Sequence, residues 1–267
     1  MKNILLFAHD DAGQEARLQC ALDLTRAVDG HLTCVDVARP PVMMADYYTT
    51  AGALVAEIDE KSSETKNASE IKARLEHEDV VWDWIDADGD IARSLRKYAG
   101  LADAVVVNCG KSSGTMPDLV DIAASVARGI HGCVVAVPEG TKSFDVLGKA
   151  VIAWDGSQPV MAAMQCAVPL LQLAASVDIV TVDDGSKGLA AEDAAAYLSR
   201  YSVHAKIIRV KEGLLAADEH ILAQLDAIEP AYCVMGCYGH SRLTSVLFGS
   251  VTRRMLLNSE IPLVIAH

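Results

Sequence analysis

Along the chain, short runs of consecutive apolar residues alternate with longer stretches in which apolar side chains recur every three or four positions. The first pattern suits a strand buried on both faces, the second a helix with one covered face. Strands are predicted at 3–8, 31–37, 79–85, 103–108, 132–137, 149–154, 177–182, 203–210, 232–236 and 262–266, separated mostly by helical stretches. Such alternation describes βα units feeding a mostly parallel sheet.

The pattern is written twice. Leu18-Gln19-Cys20-Ala21-Leu22-Asp23-Leu24 resembles Met164-Gln165-Cys166-Ala167-Val168-Pro169-Leu170 at an offset of 146, and Val134-Val135-Ala136-Val137 matches Leu263-Val264-Ile265-Ala266 at an offset of 129. The 17-residue difference places extra residues in the first copy, within Arg39 to Asn67, a segment that holds Pro40-Pro41 and Tyr47-Tyr48. Pro138, Gly140 and Gly148 bracket a polar connector. The chain therefore divides into a first domain at 1–138, a linker at 139–148 and a second domain at 149–267. The expected fold class is α/β, as two tandem five-stranded, mostly parallel open sheets of Rossmann-like type with helices on both faces. A single (β/α)₈ barrel is the alternative, but it predicts eight units rather than two fives.

Charge and cysteine usage narrow the chemistry. The 267 residues carry 23 basic and 36 acidic side chains, a net charge of −13, with no basic run. Such a surface repels phosphate backbones and anionic lipid, so neither nucleic acid nor membrane is an expected partner. No apolar stretch approaches the ~20 residues of a membrane span, and the amino terminus reads as a strand rather than a signal peptide. A cytoplasmic location is expected. The seven cysteines form no CxxC pair and read as reduced core thiols. Cys237 and His240 are three apart, but no second pair supplies the remaining ligands of a zinc site.

The most informative stretch follows the strand that ends in Met235. Gly236-Cys237-Tyr238-Gly239 is followed by Gly249-Ser250 and a helical run from Val251, giving G-x2-G-x9-G-S between a strand and a helix. Gly236 and Gly239 let the main chain bend tightly and approach a ligand. Gly249-Ser250 places free N–H groups and a hydroxyl at a helix amino terminus, which favours an anion such as phosphate. The same residues also suit a plain turn and a capped helix. Asp155 ends a strand before Gly156-Ser157-Gln158-Pro159, where its carboxylate can accept from an amine or a ribose hydroxyl, or serve a turn. Ser157 suits the cap of the next helix and Pro159 its first turn.

This loop, together with Val151-Ile152-Ala153-Trp154-Asp155-Gly156-Ser157, resembles the universal stress protein family. The whole chain resembles its tandem form, strongly over 149–267 and weakly over 1–138. The resemblance implies a stress-response or regulatory protein that binds ATP or ADP, with Mg accompanying the nucleotide. It implies that Met235, Gly236, Gly239, Gly249, Ser250 and Val251 hold phosphates and ribose, that Asp155 meets the nucleoside, and that the main chain of Val182 meets the adenine. It further implies that the two domains pack about a pseudo-two-fold axis through their last strands, mimicking a homodimer. Homodimerisation of whole chains and an unidentified protein partner stay open.

The first domain departs from this pattern. At the 129 offset, Val107, Gly110, Val120 and Asp121 stand opposite Gly236, Gly239, Gly249 and Ser250; at the 146 offset, His9 stands opposite Asp155. A carboxylate at the phosphate position repels the ligand, and Asp118 or Asp121 is expected to cap its own helix. The first domain is therefore predicted not to bind ATP in the family's manner. Gly110-Lys111-Ser112 is no P-loop, because Val105 stands where the first glycine is required. Asp88-Gly89-Asp90 and Asp183-Asp184-Gly185 read as turns, and Trp82 and Trp84 as packing residues on one strand face. No nucleophile–base pair or metal cluster is evident, so no catalytic residue is assigned and slow ATP hydrolysis is all that the resemblance permits. The contrasting reading is a non-catalytic tandem interaction protein whose pocket is vestigial or holds another small ligand.

Overall fold

A computed structural model describes residues 1–38, 64–110, 118–183, 188–211, 217–237 and 250–267. Most of the first-copy insertion, the central part of the glycine loop with Gly239, His240 and Gly249, Lys111-Ser112 and Asp184-Gly185 lie outside the described residues.

The first half contributes β1 (Asn3–Ala8), α1 (Gln14–Ala27), β2 (His31–Ala38), α2 (64–75), β3 (Val81–Asp88), α3 (Ile91–Tyr98), β4 (Ala104–Cys109), α4 (Leu119–Ala127) and β5 (Cys133–Pro138). The second contributes β6 (Lys149–Ala153), α5 (Gln158–Leu171), β7 (Ser176–Asp183), α6 (Ala191–Ser199), β8 (Ala205–Lys211), α7 (Ala217–Ile228), β9 (Tyr232–Gly236), α8 (Ser250–Asn258) and β10 (Leu263–Ala266). Each strand lies within a few residues of where the apolar runs place it.

The two five-stranded halves are joined edge to edge into one ten-stranded open sheet of order β3-β2-β1-β4-β5-β10-β9-β6-β7-β8. Its free edges rule out the barrel. Every neighbouring pair is parallel except β5 and β10. There Val135 pairs with Val264, its own repeat equivalent at the 129 offset. Pairing of a residue with its counterpart is what a two-fold axis requires, so the seam reproduces inside one chain the contact expected of a dimer.

Position in the sheet explains the strand sequences. Central β4 (AVVVNC) is buried at every residue, whereas edge strands β3 and β8 alternate between half-buried and exposed positions. Alternate residues feed two cores. Ile4, Leu6 and Ile152 pack on the face covered by α1, α2, α5 and α6, and Leu5, Phe7 and Val151 on the face covered by α3, α4, α7 and α8. Trp82 and Trp84 are half-buried against the first of these, sharing a face as expected. In each half the strand order reverses once, between β1 and β4 and between β6 and β9. These are the two places where a doubly wound sheet opens a crevice at its carboxyl edge.

Candidate functional site

The second crevice lies beyond β6 and β9. Ala153, the last residue of β6, pairs with Val180 on one side and Met235 on the other. The chain leaving β6 at Trp154-Asp155 therefore runs between the carboxyl ends of β7 and β9. Trp154 is fixed by its main-chain N–H to Val180 O (2.8 Å) and its indole N–H to Leu189 O (2.8 Å). Gly156 follows with φ of +68°, and a Cβ there would lie 2.4 Å from Leu189 N. This turn needs glycine both for its left-handed backbone and for the approach of 188–189.

Half-buried Asp155 accepts a hydrogen bond from Ser157 N through Oδ1 at 3.0 Å. Ser157 occupies the N-cap position of α5 with Pro159 in the first turn, as expected, but its side chain makes no capping bond. Its Oγ is buried and has no hydrogen-bond partner among the described residues. Leaving a buried hydroxyl unpaired costs about 1–3 kcal/mol, and a polar ligand group in the crevice is the kind of partner that would satisfy it. Its sequence position suggested a cap, and only the packing exposes the orphaned oxygen.

The structure thus brings Asp155, Val182, Met235 and Gly236 to the carboxyl ends of three adjacent strands. Ser250 and Val251 begin α8, whose amino end opens on the same edge because it follows β9. Val182 is half-buried and pairs with Val210 of β8. Val251 packs its side chain against the core on the α8 face of the sheet. Gly236 has a packing role of its own: a Cβ there would lie 2.6 Å from Val160 N in the first turn of α5. The close approach that demands glycine is to the neighbouring helix.

Among the described residues, side chains occupy the first crevice. Arg17 of α1 is fully buried and donates to Phe7 O, to His9 O and to both carboxylate oxygens of Asp11, each at 2.9 Å, and to Asn108 Oδ1. Asn108 Nδ2 donates to Val137 O at 3.0 Å. Burial pulls the Arg17 pKa down, and the Asp11 carboxylate opposes that shift. The guanidinium also lies over the Phe7 ring, 5.0 Å from its centroid. Four sets of acceptors surround one planar fork, so among the described residues the space between β1 and β4 is taken up by a paired guanidinium.

Strand register refines the alignment of the halves. Leu6 pairs with Val106, and its counterpart Ile152 (6 + 146) pairs with Val234, so β4 maps onto β9 at an offset of 128 (234 − 106). Asn108, not Val107, is therefore the counterpart of Gly236, and Gly110 answers to Tyr238 rather than Gly239. At the 146 offset Arg17 and Asp11 become Ala163 and Ser157. The three side chains that plug the first crevice are reduced to Ala163, Ser157 and Gly236 in the second.

At the amino end of α4, Asp118 supplies the expected cap, accepting from Val120 N at 3.0 Å. It also receives Arg253 of α8 at 2.7 Å, while Asp121 lies 3.2 Å from the same guanidinium. Partial burial opposes ionisation of Asp118, but the hydrogen bond and charge of Arg253 outweigh it and hold the carboxyl below its ordinary range. Among the described residues, no cluster of histidine, cysteine and carboxylate side chains could hold a metal ion, and no helix is long and apolar enough to cross a membrane.

The architecture is that of known proteins. A universal stress protein from Archaeoglobus fulgidus DSM 4304 superposes with a TM-score of 0.76 at 15% identity, covering 99% of this chain and 96% of that one. A putative universal stress protein from Pseudomonas aeruginosa UCBPP-PA14 gives a TM-score of 0.56 at 15% identity over 100% and 93%. A functionally unknown protein from Pseudomonas aeruginosa PAO1 gives 0.54 at 14% identity over 100% and 92%. No protein-family model matches the sequence, and no curated protein matches it significantly. The chain has the universal stress protein fold in its tandem form.

Proposed function

We propose that the chain acts as a universal stress protein with a regulatory role, binding ATP or ADP in its second half. What carries this reading is the contrast between the two crevices. The position held by the Arg17 guanidinium in the first is an alanine, Ala163, in the second, beside an unpartnered Ser157 hydroxyl. The main chain of Met235 and Gly236, the Asp155 carboxylate and the amino end of α8 border that space, a set suited to ribose, adenine and phosphate. Mg would enter with the nucleotide phosphates.

The vestigial-pocket reading has its own observation in favour: Gly236 faces α5, and one Asp155 oxygen serves Ser157 N. Calorimetric titration of ATP into the full chain, with and without Mg, separates the two. Saturable binding that weakens at least about tenfold in Gly249→Val, where a branched side chain crowds the phosphate position, supports the proposal. Equal affinity in both proteins eliminates the site.

A further inference from the structure

At the junction of the two halves, Cys133 opens β5 and Cys166 sits in the middle of α5, an element of the other half. Both thiols point at one oxygen: Cys133 Sγ and Cys166 Sγ each lie 3.7 Å from Asp103 O. The two thiols thus share one acceptor and face one another across it. Cys133 is fully buried, whereas half-buried Cys166 lines an open cavity of about 360 Å³ together with Leu101, His131, Gln165 and Pro169. The remaining five cysteines are buried, and Cys20, Cys34, Cys109, Cys233 and Cys237 all have their thiol pKa raised by burial.

We propose that Cys166 and Cys133 form an oxidant-sensitive pair, in which a peroxide entering the cavity oxidises Cys166 and Cys133 resolves it into a disulfide joining α5 to β5. Cys166 is the sulfur that reaches the cavity, and its interaction with Cys133 holds its thiol below the ordinary range, while Cys166 and full burial push Cys133 up, so the accessible sulfur is the nucleophile and the buried one keeps its proton. In the first step Cys166 attacks one peroxide oxygen and the O–O bond breaks. Sulfenic acid forms on Cys166, and the other oxygen leaves as water with the Cys166 proton. In the second step Cys133 sulfur attacks Cys166 sulfur, the S–O bond breaks, and the second water carries off the Cys133 proton. The two sulfurs lose two electrons and the peroxide gains them. The product staples the halves beside their seam, and a thiol reductant reverses it.

The test is peptide mapping of the folded full chain after treatment with hydrogen peroxide. Trypsin places the two residues in peptides 129–142 and 150–187, each of which contains a single cysteine. The expected result is one disulfide-linked pair of these peptides that disappears with dithiothreitol. Cys133 and Cys166 should be lost together at least about tenfold faster than the other five cysteines. In Cys133→Ser the same treatment should leave Cys166 as a sulfenic acid that dimedone traps. The proposal is overturned if wild-type protein yields no linked peptide, whether the two thiols stay reduced or oxidise singly, or if another cysteine pair links first.

Discussion

Arg253, one turn into α8, reaches out of its own half to Asp118, the capping residue of α4, at 2.7 Å. The contact is one-sided, because the repeat counterpart of Arg253 at the 129 offset is Ala124. The pseudo-symmetric seam thus carries an asymmetric lock, and it lies where the first half would have had to receive an anion.

Both partners of this lock are about one-third exposed, so the pair itself should be worth about 0.5–1 kcal/mol. Asp118→Ala also removes the α4 cap and should cost about 1–2 kcal/mol in urea unfolding, more than Arg253→Ala. Because the folded Asp118 pKa is depressed, its contribution is present above about pH 4 and is lost as the pH falls through the lowered value. A double-mutant cycle at about pH 7 and again at about pH 3 should show weaker coupling at the lower pH.

Arg17 should be the least replaceable polar residue of the first half. Arg17→Met removes the charged donor that Asp11 and three further acceptors share and should destabilise the chain by about 3–5 kcal/mol. Arg17→Lys should recover little, since a point charge cannot span the same acceptors. Denaturant titration measures both. Where Arg17→Lys remains folded, its ATP affinity should match wild type, because the network lies outside the second crevice.

Gly236→Ala tests packing rather than binding. Its Cβ would meet Val160 N at 2.6 Å, and backbone cannot rotate away as a side chain can. A loss of about 1–3 kcal/mol is expected from thermal or urea unfolding. An unchanged stability would show that β9 and α5 do not approach as described.

Asp36 should make stability fall as pH rises. Burial, with Glu64 and Asp86 nearby, raises its pKa to about 6, and Lys72 only partly compensates. The folded state therefore holds this proton more tightly than the unfolded one. Stability is highest below about pH 4, declines between about pH 4 and pH 6, and is then level as far as this group is concerned. Asp36→Asn should abolish that slope and gain about 1–2 kcal/mol at about pH 7, seen as a higher urea midpoint.

Much of the fold was legible because runs such as 104–107 are apolar without interruption and suit a central strand, while β3 and β8 keep the alternation of edge strands. The repeat was legible for the same reason, since the paired final strands repeat a short apolar word. Register was less so: sequence matching set Val107 against Gly236, and hydrogen-bonded pairing moved the match to Asn108. The glycine spacing marked the right strand end, yet it could not say that Gly236 faces α5. Arg17 lay unmarked within a helical stretch, because a buried arginine is recognised only by the acceptors that gather around it from β1, the loop between β1 and α1, and β4. The Cys133–Cys166 contact was equally silent, as 33 residues separate them (166 − 133) and they meet only once β5 and β10 have paired.

The Val135–Val264 pairing has a consequence for how such a molecule can change. An assembly of two identical subunits must accept every substitution in duplicate, so neither hollow can be closed without closing its twin. Once the mating edges belong to a single polypeptide, each copy drifts alone: one can trade its opening for a cluster of internal charge, and the other keeps its freedom to hold a guest.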